Sequence, residues 1–325
     1  MKSIVLYFLI SFAVSAAVAP FVLWVLRKLK AKQTVLHYVE QHAGKSGTPT
    51  MGGLIFILPI VTLAWFFVGK GNPLCIIAIL AGLGYATLGF LDDFIKVRGE
   101  RNLGLRAYQK IIGQGGIAIL VSVFYTMANP DGRIFLPFFN TFVNFGWGIA
   151  PLTFLVLVAT TNSVNLTDGI DGLASGVCFV YFFFISIMIA LLGKFAAVPE
   201  ARELTLIAAI TCGGLLCFLL LNSNKASVFM GDTGSLYLGG LVATISMFSF
   251  MGFFILILGV MFVISAASVI IQVVYFKLTK GKRVFLMSPF HHHLEKKGMN
   301  ESKIVAIYMG ITLMAVLVTL GVELL

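Results

Sequence analysis

Apolar residues run through this chain in long unbroken blocks, separated by short polar connections. Ten blocks cover 4–26, 52–68, 74–94, 112–127, 147–163, 173–192, 204–221, 236–251, 253–276 and 304–323. A helix needs about 20 apolar residues to cross the hydrocarbon core of a bilayer. Barrel strands would instead alternate over segments of roughly 10 residues, and these blocks do not alternate. The first block is too long for the apolar core of a leader peptide. Pro20 and Trp24 also stand where a small-residue cleavage site would fall, so it is read as a span. The pattern predicts an all-α polytopic membrane protein of ten transmembrane helices, a single domain over 1–325. It shows no internal repeat and no separate soluble domain.

Composition agrees. The 325 residues are 59% hydrophobic and 11% charged, against about 45–50% and about 25% in soluble domains. The balance excludes a soluble enzyme, a disordered chain and a disulfide scaffold. Cys75, Cys178, Cys212 and Cys217 all fall inside apolar blocks without metal-type spacing, so they read as small packing residues.

The formal net charge of +10 is a topological signal rather than a nucleic-acid footprint. Eighteen of the 23 basic residues fall in alternate loops: Arg27, Lys28, Lys30, Lys32 and Lys45; Lys96, Arg98, Arg101, Arg106 and Lys110; Lys225; and Lys277, Lys280, Lys282, Arg283, Lys296, Lys297 and Lys303. The other side carries Lys2, Lys70, Arg133, Lys194 and Arg202. Basic loops stay in the cytoplasm, so both termini are expected outside. Ten spans also require both termini on one side, so count and charge agree. The aromatic outer loop 128–146 is expected at the outer interface as a hairpin turning at Asp131-Gly132.

Five of the six aspartates, Asp92, Asp93, Asp168, Asp171 and Asp232, sit at the basic ends of blocks or in short inner loops. A charge within a membrane helix costs about 2.5–3.5 kcal/mol at its centre and less toward the interface. Five acids gathered on one face therefore call for a chemical reason beyond separate surface salt bridges. In Gly89-Phe90-Leu91-Asp92-Asp93-Phe94-Ile95-Lys96 two adjacent carboxylates end a helix, with Lys96 one turn on. Like charges this close raise a pKa or demand a cation, and such a pair suits a Mg²⁺–phosphate site. Asn162-Ser163-Val164-Asn165-Leu166-Thr167-Asp168-Gly169-Ile170-Asp171-Gly172-Leu173 is dense in amides, acids and glycines and lacks EF-hand spacing. Asp168 there reads equally as an N-cap of the next helix. Asn222 to Ser235 form a small-residue loop around Asp232, where helix amides can meet phosphate. Phe229 in that loop either stacks on a base or packs against lipid. His291, His292 and His293 follow Ser288-Pro289-Phe290. Three adjacent residues diverge on a helix and make a poor zinc site, so phosphate contact is the better use. Gly44-Lys45-Ser46 imitates the end of a P-loop, but Val39 stands where glycine is required.

Taken together and in this order, from Lys45-Ser46-Gly47-Thr48-Pro49-Thr50-Met51-Gly52-Gly53 to Pro289-Phe290-His291-His292-His293-Leu294-Glu295, these motifs resemble the polyprenyl-phosphate N-acetylhexosamine-1-phosphate transferases. The histidine loop is similar to that of the phospho-N-acetylmuramoyl-pentapeptide branch. The resemblance implies ten membrane helices, outside termini and a cytoplasmic active site. It implies transfer of phospho-N-acetylmuramoyl-pentapeptide from a UDP-linked donor to undecaprenyl phosphate, giving lipid I and UMP, with Mg²⁺ as cofactor. It places Asp232 on Mg²⁺ and Asp92, Asp93, Lys96, Lys110 and His291 in the catalytic centre, Lys110 by a looser match across a loop of variable length. Asp93 is implied as base for the lipid phosphate, with an aspartyl-phosphate nucleophile left open. Lys45, Thr50, Asn165, Asp168, Gly169, Asp171, Asn222, Phe229 and His292 are implied as substrate contacts. A homodimer is left open. The rivals are a sister enzyme using UDP-N-acetylglucosamine, and an anion or nucleotide transporter. A transporter would place its charges near the bilayer midplane.

Overall fold

Hydrocarbon offers backbone groups no water to bond, so an apolar block must satisfy its own amides and carbonyls as helix. The computed structural model describes residues 2–29, 31, 47–69, 71–99, 103–193 and 197–323. Lys45 lies outside them, as do Lys30, Lys32, Lys70, Arg101 and Lys194 from the charge tally. Among the described residues, eight helices are long and apolar enough to cross a membrane. These are α1 (Lys2–Lys28), α3 (Pro73–Arg98), α4 (Ala107–Ala128), α5 (Ile149–Thr167), α6 (Leu173–Leu192), α7 (Ala201–Asn222), α10 (Val260–Leu278) and α12 (Glu301–Glu323). The chain is an all-helical, multi-pass membrane protein.

Three blocks depart from simple spans. Block 52–68 forms the short α2 (Leu54–Ala64), continued by a π-helical turn at Trp65–Gly69. Block 236–251 becomes α8 (Gly231–Phe248), which stands outside the eight because its polar first residues, Gly231 to Ser235, lower its hydropathy. Every residue from Thr233 to Phe248 is buried, and α8 packs against α3 and α5. Small residues make that approach possible. Gly240 abuts the ring of Tyr85 on α3, and Gly239 abuts the backbone of Thr161 on α5. Block 253–276 is split into a 3₁₀ turn at Gly252–Phe254, α9 (Ile255–Leu258), a break at Gly259, and α10.

The hairpin in the loop after α4 is present, but its turn is not at Asp131-Gly132. Strands β1 (Arg133–Leu136) and β2 (Thr141–Asn144) pair antiparallel with Leu136 opposite Thr141, so the chain reverses over 137–140. Asp131 and Gly132 instead close the open end, where Gly132 O accepts the Phe145 N–H and Asp131 O accepts the Gly146 N–H. Phe138 and Asn140, both at positive φ, carry the reversal. This hairpin caps one end of the bundle. The Phe135 N–H donates to Phe250 O after α8, and the Phe138 N–H donates to Glu323 Oε1 on α12. Asp92, Asp93 and Asp232 gather at the opposite end.

Candidate active site

Four helix ends converge there: the last turns of α3 and α5 and the first turns of α4 and α8. From α3 come Asp92, Asp93 and Lys96, from α4 Lys110, from α5 Asn165, and from α8 Asp232. Carboxylate oxygens of Asp92, Asp93 and Asp232 all lie within 4.8 Å of one another. Gly89 lets this happen. It sits one turn before Asp93, and a Cβ there would overlap the Asp232 carbonyl.

Two ammonium groups bridge the acids. Lys96 Nζ is 2.5 Å from Asp92 Oδ2, 3.2 Å from Asp232 Oδ2 and 3.8 Å from Asp93 Oδ1. Lys110 Nζ is 3.0 Å from Asp92 Oδ2 and also bonds Asp232 Oδ2. The loosely matched Lys110 thus stands in the cluster. Asp92 is wholly buried, and its Oδ1 accepts the Leu105 N–H at 2.7 Å. Asp232 keeps its side chain 16% exposed, and Asn165 Nδ2 donates to its Oδ1 at 2.9 Å. Asn165 also donates to Ser235 Oγ at 2.9 Å, so α5 fixes the first turn of α8 from one side.

Asp93 holds that turn from the other side. Its Oδ1 accepts the Asp232 N–H at 3.2 Å. Its Oδ2 accepts the Thr233 N–H at 2.9 Å and the Thr233 hydroxyl at 2.7 Å. Gly231, at φ +72°, opens α8 in a conformation that costs other residues strain. A Cβ there would also overlap Asp93 Oδ2 and lie 2.8 Å from Thr50 Oγ1. Gly231→Ala is therefore expected to cost about 1–3 kcal/mol of local strain. It should lower the melting temperature and the activity together, as thermal unfolding and initial rates will show.

A second group of predicted residues forms a rim beside this centre. Asp168 does not cap α6; it closes α5, and Gly172 at φ +79° occupies the N-cap of α6. Burial and the neighbouring Asp232, Asp93 and Asp171 carboxylates push Asp168 up to about 8. Gly169 makes room for His291, since a Cβ there would overlap the ring Nε2. His291 is fully buried, its ring 4.3 Å from that of His292. His292 Nδ1 lies 2.5 Å from Glu295 Oε2, while His293 Nδ1 accepts the Leu286 N–H. The three rings of α11 (Phe290–Lys296) thus serve different partners.

Other predicted contacts are turned toward scaffolding. Asp171 Oδ2 accepts the Ala226 N–H at 3.0 Å, and the Asp171 N–H donates to Glu301 Oε2 at 3.3 Å. Asn222 is buried, its oxygen taking the Gly172 N–H and the Ser175 hydroxyl and its nitrogen donating to Val228 O. Both therefore tie the 223–230 loop to α6. Phe229 stays half-buried on that loop, its N–H bonded to Pro49 O and its carbonyl to the Gly52 N–H. Thr50 is buried, with its N–H on Ala31 O. Gly89, Thr233, Ser235, the Leu105 amide and Glu301 were not among the expected site residues. Only the Gly-Asp-Thr-Gly and Gly-x-x-x-Asp spacings carry any sign of the first two.

The family model for glycosyl transferase family 4 matches residues 75–250, which span α3 to α8 and hence every acid and lysine of the cluster. Signature 1 of phospho-N-acetylmuramoyl-pentapeptide-transferase matches residues 45–57, the strip that includes Thr50 and opens α2. The chain is 41% identical over 313 residues to the phospho-N-acetylmuramoyl-pentapeptide-transferase of Acetivibrio thermocellus, covering 95% of this chain and 92% of that protein. It is 39% identical to the enzyme of that name from Listeria welshimeri, with 97% and 96% covered. With that of Halalkalibacterium halodurans the identity is 37%, with 99% and 98% covered. With similarity of this depth over nearly its whole length, and with the family's matched segment enclosing the acid cluster, the chain belongs to the phospho-N-acetylmuramoyl-pentapeptide-transferase family.

Proposed function

We propose that the chain transfers phospho-N-acetylmuramoyl-pentapeptide from its UDP-linked donor to undecaprenyl phosphate in the bacterial cytoplasmic membrane, releasing UMP and forming lipid I. The observation that carries this reading is the cluster of Asp92, Asp93 and Asp232 with Lys96 and Lys110, set at the end of the bundle where two phosphate substrates from water and from the membrane can meet. A bare acid cluster repels phosphates. With two lysines and a divalent cation it attracts them.

The donor set fits magnesium, which takes hard oxygen ligands and usually one or two carboxylates plus phosphate oxygens. Asp232, the most exposed of the three, is assigned as the metal ligand, with Asp92 beside it. Bound there, the cation supplies charge neutralisation for the donor diphosphate. Lys96 and Lys110 lie within reach of the same phosphates and stabilise the negative charge that accumulates as they meet. An oxygen of the lipid phosphate forms a bond to the β-phosphorus of the donor, and the bond from that phosphorus to the oxygen bridging to the uridylate breaks. That oxygen leaves on UMP. The lipid phosphate is already anionic near neutrality, so the step needs charge compensation more than a base.

Counting α2 and α8 with the eight long helices gives ten crossings, both termini outside, and one transferase domain over 1–325. The separation of the outer hairpin from the acid cluster supports that topology. Asp168, Gly169, His291 and His292 are assigned to the donor's phosphates and sugar, and Phe229 to its uracil. Phe229→Ala is expected to raise KM for the nucleotide donor about fivefold or more, the worth of a stacked base being about 1–3 kcal/mol. KM for the lipid phosphate should hardly change. Equal changes in both would remove Phe229 from the donor site.

A transporter is disfavoured because the acids sit at one end of the bundle and not at its middle. Donor choice separates the remaining rival. Offered UDP-MurNAc-pentapeptide or UDP-N-acetylglucosamine with undecaprenyl phosphate, the protein should release UMP from the first. Release from the second alone would reassign the chain to the sister chemistry.

A further inference from the structure

We infer that Asp93 is a positioning residue, the N-terminal cap of α8 supplied from another helix, and that through it α3 sets the carboxylate of Asp232. The inference rests on the metal-assisted reading above and narrows the role of one member of the acid pair.

A helix begins with N–H groups that have no partner inside the helix. They are ordinarily met by a side chain just before the first turn. In α8 that position is Met230, and no side chain of its own segment makes a capping bond. Asp93 fills the gap from α3. It accepts the N–H groups of Asp232 and Thr233 and the Thr233 hydroxyl, and a carboxylate also suits the positive end of the helix dipole. Gly231 has no side chain to obstruct this approach, and Gly89 lets the two backbones close.

The chemistry of Asp93 follows from its partners. It is 2% exposed, and both of its oxygens are engaged by the first turn of α8. A base or nucleophile must present a lone pair to substrate. Asp232, by contrast, is held at its backbone by Asp93 and at its side chain by Asn165, and keeps part of its carboxylate open. Asp93 thus acts on the reaction by fixing where Asp232 stands. Groups that orient metal ligands typically change metal affinity or activity by about 10–100-fold when removed.

The test uses the full-length protein in detergent, with Mn²⁺ as the probe, and reads free Mn²⁺ by electron paramagnetic resonance without substrates. The variants are Asp93→Asn, Thr233→Val and both together. Thr233→Val removes only the hydroxyl that bonds Asp93, at a residue with no assigned substrate or metal contact. As a cap, Asp93 predicts that both single variants weaken Mn²⁺ binding, Asp93→Asn by about 10–100-fold and Thr233→Val less. The double variant should be no worse than Asp93→Asn. Raising the metal concentration should also restore much of the UMP release lost in Thr233→Val. Two results overturn the proposal. One is Thr233→Val binding Mn²⁺ like the parent while Asp93→Asn does not, which would make Asp93 a direct ligand. The other is Asp93→Asn binding Mn²⁺ normally yet inactive at every metal concentration, which would make it a chemical participant. Should Asp93→Asn fail to fold, Thr233→Val alone decides. Failure of the transferase reading is separate: the parent would bind Mn²⁺ and release no UMP.

Discussion

Asp232→Asn should release UMP at least about 10²–10³-fold more slowly than the parent protein, the loss typical of removing one preorganised electrostatic contact. The substitution keeps the size of the side chain and its bond to Asn165, so the helix it begins remains in place. It removes the charge to which the proposed cation is assigned, at the open edge of the cluster. Lys96 and Lys110 still have Asp92 to pair with, so no buried ammonium is stranded and the melting temperature should move little. Asp131, at the opposite end beside the hairpin, is the internal control, and Asp131→Asn should be silent. Loss of folded protein in Asp232→Asn, with normal specific activity in what survives, would turn Asp232 into a structural salt bridge.

Lys110→Met should damage both stability and turnover. Asp92 is wholly buried and relies on two ammonium groups. Removing one partner of a buried ion pair leaves charge uncompensated, at a cost of about 3 kcal/mol or more. On the proposed role, the same substitution takes away a cation assigned to the reacting phosphates, so kcat should fall by about 10²-fold or more. Lys110→Arg keeps the charge but not the compact ammonium, and should retain stability better than activity. Thermal unfolding and steady-state rates on the two variants check this. An unchanged kcat in Lys110→Met would confine Lys110 to a structural role.

Much of this architecture is written in the apolar blocks, because length and hydropathy are what a bilayer selects. The exceptions have a common physical origin. The central α8 packs against α3 and α5 through Gly239 and Gly240, and these glycines together with its polar first turn lower its hydropathy. The break at Gly259 and the π-helical turn after α2 depend on packing that periodicity does not record. In the loop after α4, Asp131-Gly132 is a strong turn signal that the chain uses at the base of the hairpin, while Phe138 and Asn140 make the reversal.

The site shows the same division. The spacing Asp92-Asp93-x-x-Lys96 announces an acid pair with a cation one helical turn on, and the structure places all three together. That the two aspartates have different partners is not legible. It depends on Gly89 and Gly231 admitting α8 against one of them and on Leu105 bonding the other. Likewise Asn222 and Asp171 carry the residue types of ligand contacts, yet their bonds to Ser175, Val228 and Ala226 tie loops together. Residue type indicates hydrogen-bonding capacity, and only the fold determines which partner takes it.

The most direct test of the account follows a donor labelled in its sugar-phosphate through the full-length protein, with Mg²⁺ and undecaprenyl phosphate each supplied or withheld. The account predicts UMP release only when both are present, with the label recovered in the lipid fraction as a diphosphate and none on the protein. A stoichiometric burst of UMP without lipid, with label held covalently on an aspartate, would contradict it, as would intact donor carried across a sealed membrane without cleavage.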